Sequence, residues 1–251
     1  LDNTGSELDR LSAIFECVTI ASNIVEIRKR ITAAAERAGR SADDIKLLAV
    51  SKTHPAEAIR EAAAAGAHCF GENKVQEGET KIVELGRNFA EWHLIGHLQS
   101  NKARKAVQYF DFVHTVDSIE LAMRLERICV EEGRESLSVL AQVNLTGDPR
   151  SGVAPAGLLE LAEFLHACAR LKFAGLMTLP PFFDDAEKTR PYFQQLRAFG
   201  NELASKQLFA DVPFELSMGM TNDFEVAIEE GATMVRVGTA IFGQREYGVS
   251  S

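Results

Sequence analysis

The chain has 251 residues, of which 46% are hydrophobic and 25% charged, a composition that suits one globular domain and contains no run near the roughly 18 apolar residues of a membrane helix. Its 27 basic and 36 acidic side chains leave a net charge of -9, a field that repels polyanions, so neither nucleic acid nor a membrane is an expected partner. The four cysteines, Cys17, Cys69, Cys129 and Cys168, form no C-x-x-C pair, which argues against a disulfide scaffold or zinc knuckle and for a reducing cytoplasm.

The opening LDNTGSELDR carries three acids and no basic start before an apolar run, so no secretory signal is expected. A helical stretch ending near 37–39 leads into a repeated unit, a short β-rich apolar run followed by a longer segment of helical period. The predicted strands are KLLAVS (46–51), AHCF (67–70), WHLIG (92–96), FVHTV (112–116), SVLAQVNL (138–145), KFAGLMT (172–178), PFELS (213–217) and TMVRVG (233–238). Between them helices are predicted over 55–65, 72–86, 99–108, 118–132, 155–170, 186–207 and 221–231. Pro55 suits a first helical turn, and Asp117 with Ser118, then Thr221 with Asn222, suit helix starts. Eight such units without a linker predict a single (β/α)8 TIM barrel, 41–251, with an N-terminal helical segment, 1–40, packed on it. An open doubly wound sheet is the alternative, but neither G-x-G-x-x-G nor G-x-x-x-x-G-K-[ST] occurs.

In such a barrel, chemistry belongs at the carboxyl ends of the strands. Strand one ends in AVSKTHP, placing Lys52 at the mouth. Most lysines are solvated, yet at a rim a partly desolvated amine can serve as a Schiff-base nucleophile. Strands seven and eight end in LSMGMTND and VRVGTAIFG. There Ser217 and Thr239 offer hydroxyls, and Gly219 and Gly238 let backbone N–H groups approach an anion such as phosphate, although each glycine alone also suits a tight turn. Arg236, inside strand eight, calls for a buried partner: a salt bridge or the nitrogen of a ring cofactor. His93 and His97 sit four apart on a strand, roughly 13 Å, too far to share one metal ion. His93 therefore reads as an inward packing residue and His97 as a rim residue; no metal is expected. Met218, Met220 and Trp92 read as packing residues, and no nucleophile–base pair supports hydrolase chemistry.

The motifs AVSKTHP, FGENKVQEG, WHLIGHLQSNK, QVNLTGDPRSGV, GLMTLPP, LSMGMTNDFEVAI and MVRVGTAIFG occur in this order between residues 45 and 243. Together they resemble the YggS/PROSC family of pyridoxal phosphate homeostasis proteins, whose barrel is alanine racemase N-terminal domain-like. The resemblance implies pyridoxal 5'-phosphate as cofactor, Lys52 as its Schiff-base lysine, Ser217, Gly238 and Thr239 as the phosphate cradle, Arg236 as the partner of the pyridine nitrogen and Asn73 as a further contact. Two departures stand out: Lys74 where the family commonly has tyrosine, which removes a stacking or hydroxyl contact there, and TND after SMGM in place of a commoner serine and aspartate pattern.

An arginine facing the pyridine nitrogen keeps it unprotonated and weakens the ring as an electron sink. The resemblance thus implies a cytoplasmic protein, expected as a monomer, that holds, buffers or delivers the cofactor, with pyridoxal-dependent apoenzymes as recipients and no robust catalytic cycle or catalytic residue. A single-domain racemase or decarboxylase is the alternative.

Overall fold

The computed structural model describes residues 19–147, 152–211 and 213–243. Cys17, the first part of the N-terminal segment and positions 148–151 of the QVNLTGDPRSGV motif lie outside them. Eight parallel strands close into a barrel in chain order: β1 (Lys46–Val50), β2 (Cys69–Glu72), β3 (Glu91–Leu94), β4 (Phe112–Val116), β5 (Leu137–Gln142), β6 (Leu171–Met177), β7 (Glu215–Met220) and β8 (Met234–Val237), with β8 paired back to β1. The helices are α1 (Ile20–Arg37), α2 (Ala56–Ala64), α3 (Val75–Leu85), α4 (Ala103–Tyr109), α5 (Ile119–Glu131), α6 (Leu158–Ala167), α7 (Arg190–Ser205), α8 (Phe224–Glu229) and α9 (Thr239–Phe242).

Alternation along each strand sorts the core into two layers. Outward side chains such as Leu47, Ala49, Phe70, Trp92, Leu94, Val235 and Val237 join the large cluster under the helices, whereas Phe112, Leu140, Ala174, Met177 and Met234 fill the barrel interior. Trp92 is fully buried, as its apolar surroundings require.

Helix α1 begins with a capping box between Thr19 and Ser22 and buries Ile24, Ile27, Ile31, Ala34 and Ala35. It lies across α8 and α9. Arg30 forms an ion pair with Glu225 at 3.2 Å while its guanidinium rests on the Phe224 ring, Arg37 meets Glu229 at 2.8 Å, and the Asn23 amide donates to the Ile241 carbonyl at 2.9 Å. Arg40, just beyond α1, donates to the carbonyls of Ile228 and Ala232. The N-terminal helix thus steadies the two short helices that follow β7 and β8.

Ser118 caps α5, as expected, but Thr221 and Asn222 do not begin α8: Asp223 occupies the cap position. The third and fifth strands end earlier than predicted, at Leu94 and Gln142, and two strands run further toward the mouth. The second is Cys69–Glu72, two residues later than AHCF, because Gly71 and Glu72 continue the parallel ladder with β3. The seventh is Glu215–Met220, not 213–217.

Candidate functional site

The displacement of β7 decides where its residues fall. Met220, at the strand's carboxyl end, and Thr221, Asn222 and Asp223 beyond it, line a cavity of about 430 Å³ at the barrel mouth, shared with Lys52, His54, Asn73, Ile95, Arg236, Gly238 and Thr239. Phe182 and Phe183, from the loop after β6, frame one side. Asn222 donates to the Phe183 carbonyl at 3.0 Å and ties that loop to the β7 end.

Five of the six residues expected at the site, Lys52, Asn73, Arg236, Gly238 and Thr239, lie on this wall. The sixth, Ser217, does not. It sits one layer below, fully buried, where its hydroxyl accepts from Arg236 Nη1 at 2.7 Å and lies 3.0 Å from His114 Nδ1. Reading β7 as ending at residue 217 put this side chain at the rim; the strand in fact runs three residues further. The hydroxyl next to the cavity is that of Thr221, which the sequence suggested only as a helix start. Met220 also belongs to the cavity wall rather than to packing alone, whereas Gly219 is needed against α8. Its φ is +89°, and a Cβ there would come within 2.5 Å of Ala227 Cβ.

Arg236 is 3% exposed and forms no ion pair among the described residues, so the salt-bridge alternative gives way to neutral partners. Nη1 donates to Ser217 and Nη2 to the Thr178 carbonyl at 2.9 Å. Two of five N–H donors are thereby engaged. Burial pushes the guanidinium pKa down to about 10, with Asp223 opposing the shift, so the group remains cationic at neutral pH.

Lys52 is held from both flanks by a network that reaches it from α3. Lys81, 6% exposed, donates to the carbonyl of Ser51 at 2.7 Å and to Glu72 Oε1 and Glu77 Oε1 at 2.7 and 2.8 Å. Glu77 in turn accepts the backbone N–H of Thr53, and Ser51 Oγ donates to Glu72 Oε1 at 2.7 Å. Burial of Glu77 works against its charge, but the hydrogen bonds from Lys81 and the Thr53 N–H hold its carboxyl below the usual range. Thr53 has φ +68°, a left-handed conformation that a β-branched residue seldom adopts, and its N–H bond to Glu77 fixes it there. The sequence displayed Glu72, Glu77 and Lys81 within GENKVQEGETK but not their convergence, since they act through the outer face of β2. Lys74, by contrast, is exposed at the cap position of α3 and does not line the cavity.

Further donors stand on the wall beside its apolar residues. Gly238 starts α9, and a Cβ on it would come within 3.2 Å of the Val50 carbonyl oxygen. The first N–H groups of a helix have no intrahelical partner, and those of α8 and α9 begin beside the hydroxyls of Thr221 and Thr239. His54 stacks on Phe242 with centroids 5.0 Å apart. Asp223 turns one oxygen to the Met220 N–H at 2.6 Å, and burial raises its pKa. His97 is exposed, 3.9 Å from Asp117, while His93 is inward and fully buried.

Residues 23–246 match the family described as alanine racemase, N-terminal domain. The pyridoxal phosphate homeostasis protein of Escherichia coli K12 is 44% identical over 232 residues, 91% of this chain and 97% of the relative, and that of Pseudomonas aeruginosa is 45% identical over 231 residues, 92% and 97%. The PipY protein of Synechococcus elongatus with PLP bound superposes with a TM-score of 0.76 at 42% identity, covering 90% of this chain and 100% of that one. Alanine racemase from Corynebacterium glutamicum, 20% identical with a TM-score of 0.63 and covered over 62% of its length, shares the fold.

Proposed function

We propose a function from one premise, that the chain belongs to the alanine racemase N-terminal domain family and, within it, to the pyridoxal phosphate homeostasis proteins: it binds pyridoxal 5'-phosphate at the barrel mouth and serves the cell's handling of that cofactor. The observation that carries this reading is the convergence of Lys52 and Arg236, from neighbouring β1 and β8, on one cavity that is also lined by Thr221, Gly238 and Thr239.

The residues present fit the group. Bound pyridoxal phosphate supplies an aldehyde that condenses with amines and a ring that withdraws electrons. Lys52 is the amine that would hold it covalently. Thr221, Thr239 and the N–H groups from Gly238 onward would hold the phosphate, with Asn73 as a further contact. Arg236 would donate to the ring nitrogen. A guanidinium has no acceptor lone pair and does not readily surrender a proton, so Arg236 keeps that nitrogen unprotonated. Ser217 acts through Arg236, accepting one of its N–H bonds and setting the plane of the guanidinium. Such a site retains the cofactor while weakening it as an electron sink, which favours a carrier over an enzyme with robust turnover.

Racemase or decarboxylase chemistry remains the second reading because His54, an imidazole on the cavity wall, could move a proton. In this reading the carrier acts as one unit, helix α1 (Ile20–Arg37) of the N-terminal segment supporting the barrel, and works as a cytoplasmic monomer that passes the cofactor to pyridoxal-dependent apoenzymes. No helix among the described residues is long and apolar enough to cross a membrane. Borohydride reduction of the cofactor-loaded protein, followed by peptide mapping, is expected to mark Lys52, and Lys52→Ala to abolish the mark. A label on Lys74 or Lys102 instead would overturn the assignment.

A further inference from the structure

At the opposite end of the barrel, where the strands begin, lies a second group of donors that the cofactor site does not use. Cys69 and Glu91 are the first residues of β2 and β3 and are register partners, and His93 follows on the same inward face two residues after Glu91. Cys69 Sγ is 3.3 Å from Glu91 Oε2, His93 Nε2 is 3.4 Å from Glu91 Oε1, and one donor atom from each residue lies within 4.8 Å of the others. We propose that Cys69, Glu91 and His93 form a binding site for a zinc-class divalent cation at the amino-terminal end of the barrel.

The two contacts to Glu91, 3.3 and 3.4 Å, match the chemistry, and a modest side-chain adjustment would draw the set, now within 4.8 Å, onto one ion. A tetrahedral zinc ion with sulfur at about 2.3 Å and nitrogen and oxygen at about 2.0–2.2 Å separates its ligand atoms by roughly 3.3–3.6 Å. Thiolate, imidazole and carboxylate together favour zinc-class ions over magnesium or calcium, which take all-oxygen shells. The independent sign is His93 Nε2. It belongs to a fully buried ring, is aimed at this cluster and has no hydrogen-bond partner. A buried ring nitrogen without a partner is costly, and a cation is the partner whose other ligands are already assembled around it.

The support behind the ligand is also present. A metal-binding histidine presents one nitrogen's lone pair and donates from the other. His93 Nδ1 lies 2.8 Å from His114 Nε2, and His114 Nδ1 lies 3.0 Å from Ser217 Oγ. With both rings neutral, His93 Nδ1–H donates to His114 and His114 Nδ1–H to Ser217, leaving Nε2 of His93 for the ion. Phe112, stacked 5.1 Å away at 6°, fixes the ring plane. Glu91 now shares its charge with Lys46, whose Nζ lies 3.2 Å from both oxygens. Lys46 is a half-buried side chain on a flexible stem, so an incoming ion displaces it toward solvent. As the sulfur–metal bond forms, the Cys69 thiol proton leaves to water, and no oxidant or reductant is required.

The test is titration of the cofactor-loaded full chain with cobalt(II), followed by its visible d–d absorption, with zinc as displacing ion. One cobalt ion per chain with tetrahedral intensity is expected. Cys69→Ser should weaken binding by more than the roughly 10–100-fold that loss of a supporting group costs, and Lys46→Met should tighten it several-fold by removing the competing ammonium. Absence of stoichiometric binding, or binding unchanged in Cys69→Ser, would overturn the proposal. If Cys69→Ser does not fold, Lys46→Met decides: tighter binding supports the site, and unchanged or weaker binding overturns it. Borohydride labelling of Lys52 is independent of all these outcomes, so failure here is distinguishable from failure of the cofactor reading.

Discussion

Ser217 and Thr239 look alike in sequence, each a hydroxyl near the end of a late strand, yet they act at different distances from the ligand. Thr239 lines the cavity, whereas Ser217 accepts from Arg236 beneath it. Thr239→Val and Thr221→Val should each weaken cofactor retention by the value of a hydrogen bond to a charged group, about 1.5–3 kcal/mol, measured as cofactor loss on dialysis. Ser217→Ala should leave the phosphate contacts intact and instead alter the absorbance of the bound cofactor, because it frees one Arg236 N–H. Equal loss of retention in all three variants would refute this division. Arg236→Glu is sharper still. A carboxylate facing the ring nitrogen favours its protonation and strengthens the electron sink, so α-proton exchange of added L-amino acids should rise. Unchanged absorbance in a folded, loaded variant would remove Arg236 from the ring. Exchange that stays slow despite altered absorbance would locate the barrier in proton transfer, at groups such as His54.

Among elements, the loop after β1 depends on α3 more than on its own sequence. Lys81 binds the carbonyl before Lys52, and Glu77 binds the N–H after it, so α3 sets the direction in which the amine enters the cavity. Lys81→Met leaves Glu72 buried and uncompensated, and breaking a buried pair from one side costs about 3–5 kcal/mol. Urea unfolding should show that loss, and borohydride labelling of Lys52 should fall. Adding Glu72→Gln should restore most of the stability; it should restore less of the labelling, since the Ser51 carbonyl and Glu77 still lack their cation. Full recovery of labelling would show that Lys81 matters to stability alone. This buttress also marks where the sequence stopped being informative. Short β-rich apolar runs announced all eight strands, and strand-end position announced Lys52 and Thr239. The ends of β2 and β7 were missed because Gly71, Glu72 and Gly219 are poor strand formers that pair only through the closed ladder, and that displacement put Ser217 at the rim in place of Thr221. The Lys81–Glu72–Glu77 cluster links β2 to α3 and to the loop after β1, contacts that no local pattern encodes.

Through the whole molecule runs a polar line, from Arg236 at the cavity through Ser217, His114 and His93 to Glu91 at the far end. Burial lowers the pKa of His93, and burial, then His93 and Arg236, lower that of His114 well below the ordinary 6.5. Both imidazoles are therefore neutral in the folded barrel at pH values where the unfolded chain would protonate them. Above about pH 6.5 neither state carries these protons and stability is independent of them. Below it the unfolded state binds protons that the native state refuses, so stability falls as pH drops, by up to about 1.4 kcal/mol per pH unit for each ring. The decline continues until the folded-state values are reached. Glu91 acts in a separate, lower window: its 3.4 Å contact with the His93 ring, together with Lys46, outweighs burial and holds it at about 2, below the ordinary 4.5, so its contribution persists above 4.5 and is lost as pH falls toward 2. Other buried carboxyls, Asp223 among them, shift in the opposite sense, so the imidazole contribution is best read as a difference. Urea unfolding of the wild type and His114→Gln between about pH 5 and 6.5 should show the variant's stability falling less steeply, by about one proton's slope. Glutamine can still bond to His93 and Ser217 but has no proton to gain on unfolding. Parallel pH profiles for the two proteins would mean that His114 is protonated inside the barrel, and the line from the cavity to Glu91 would then hold a buried cation between its ends.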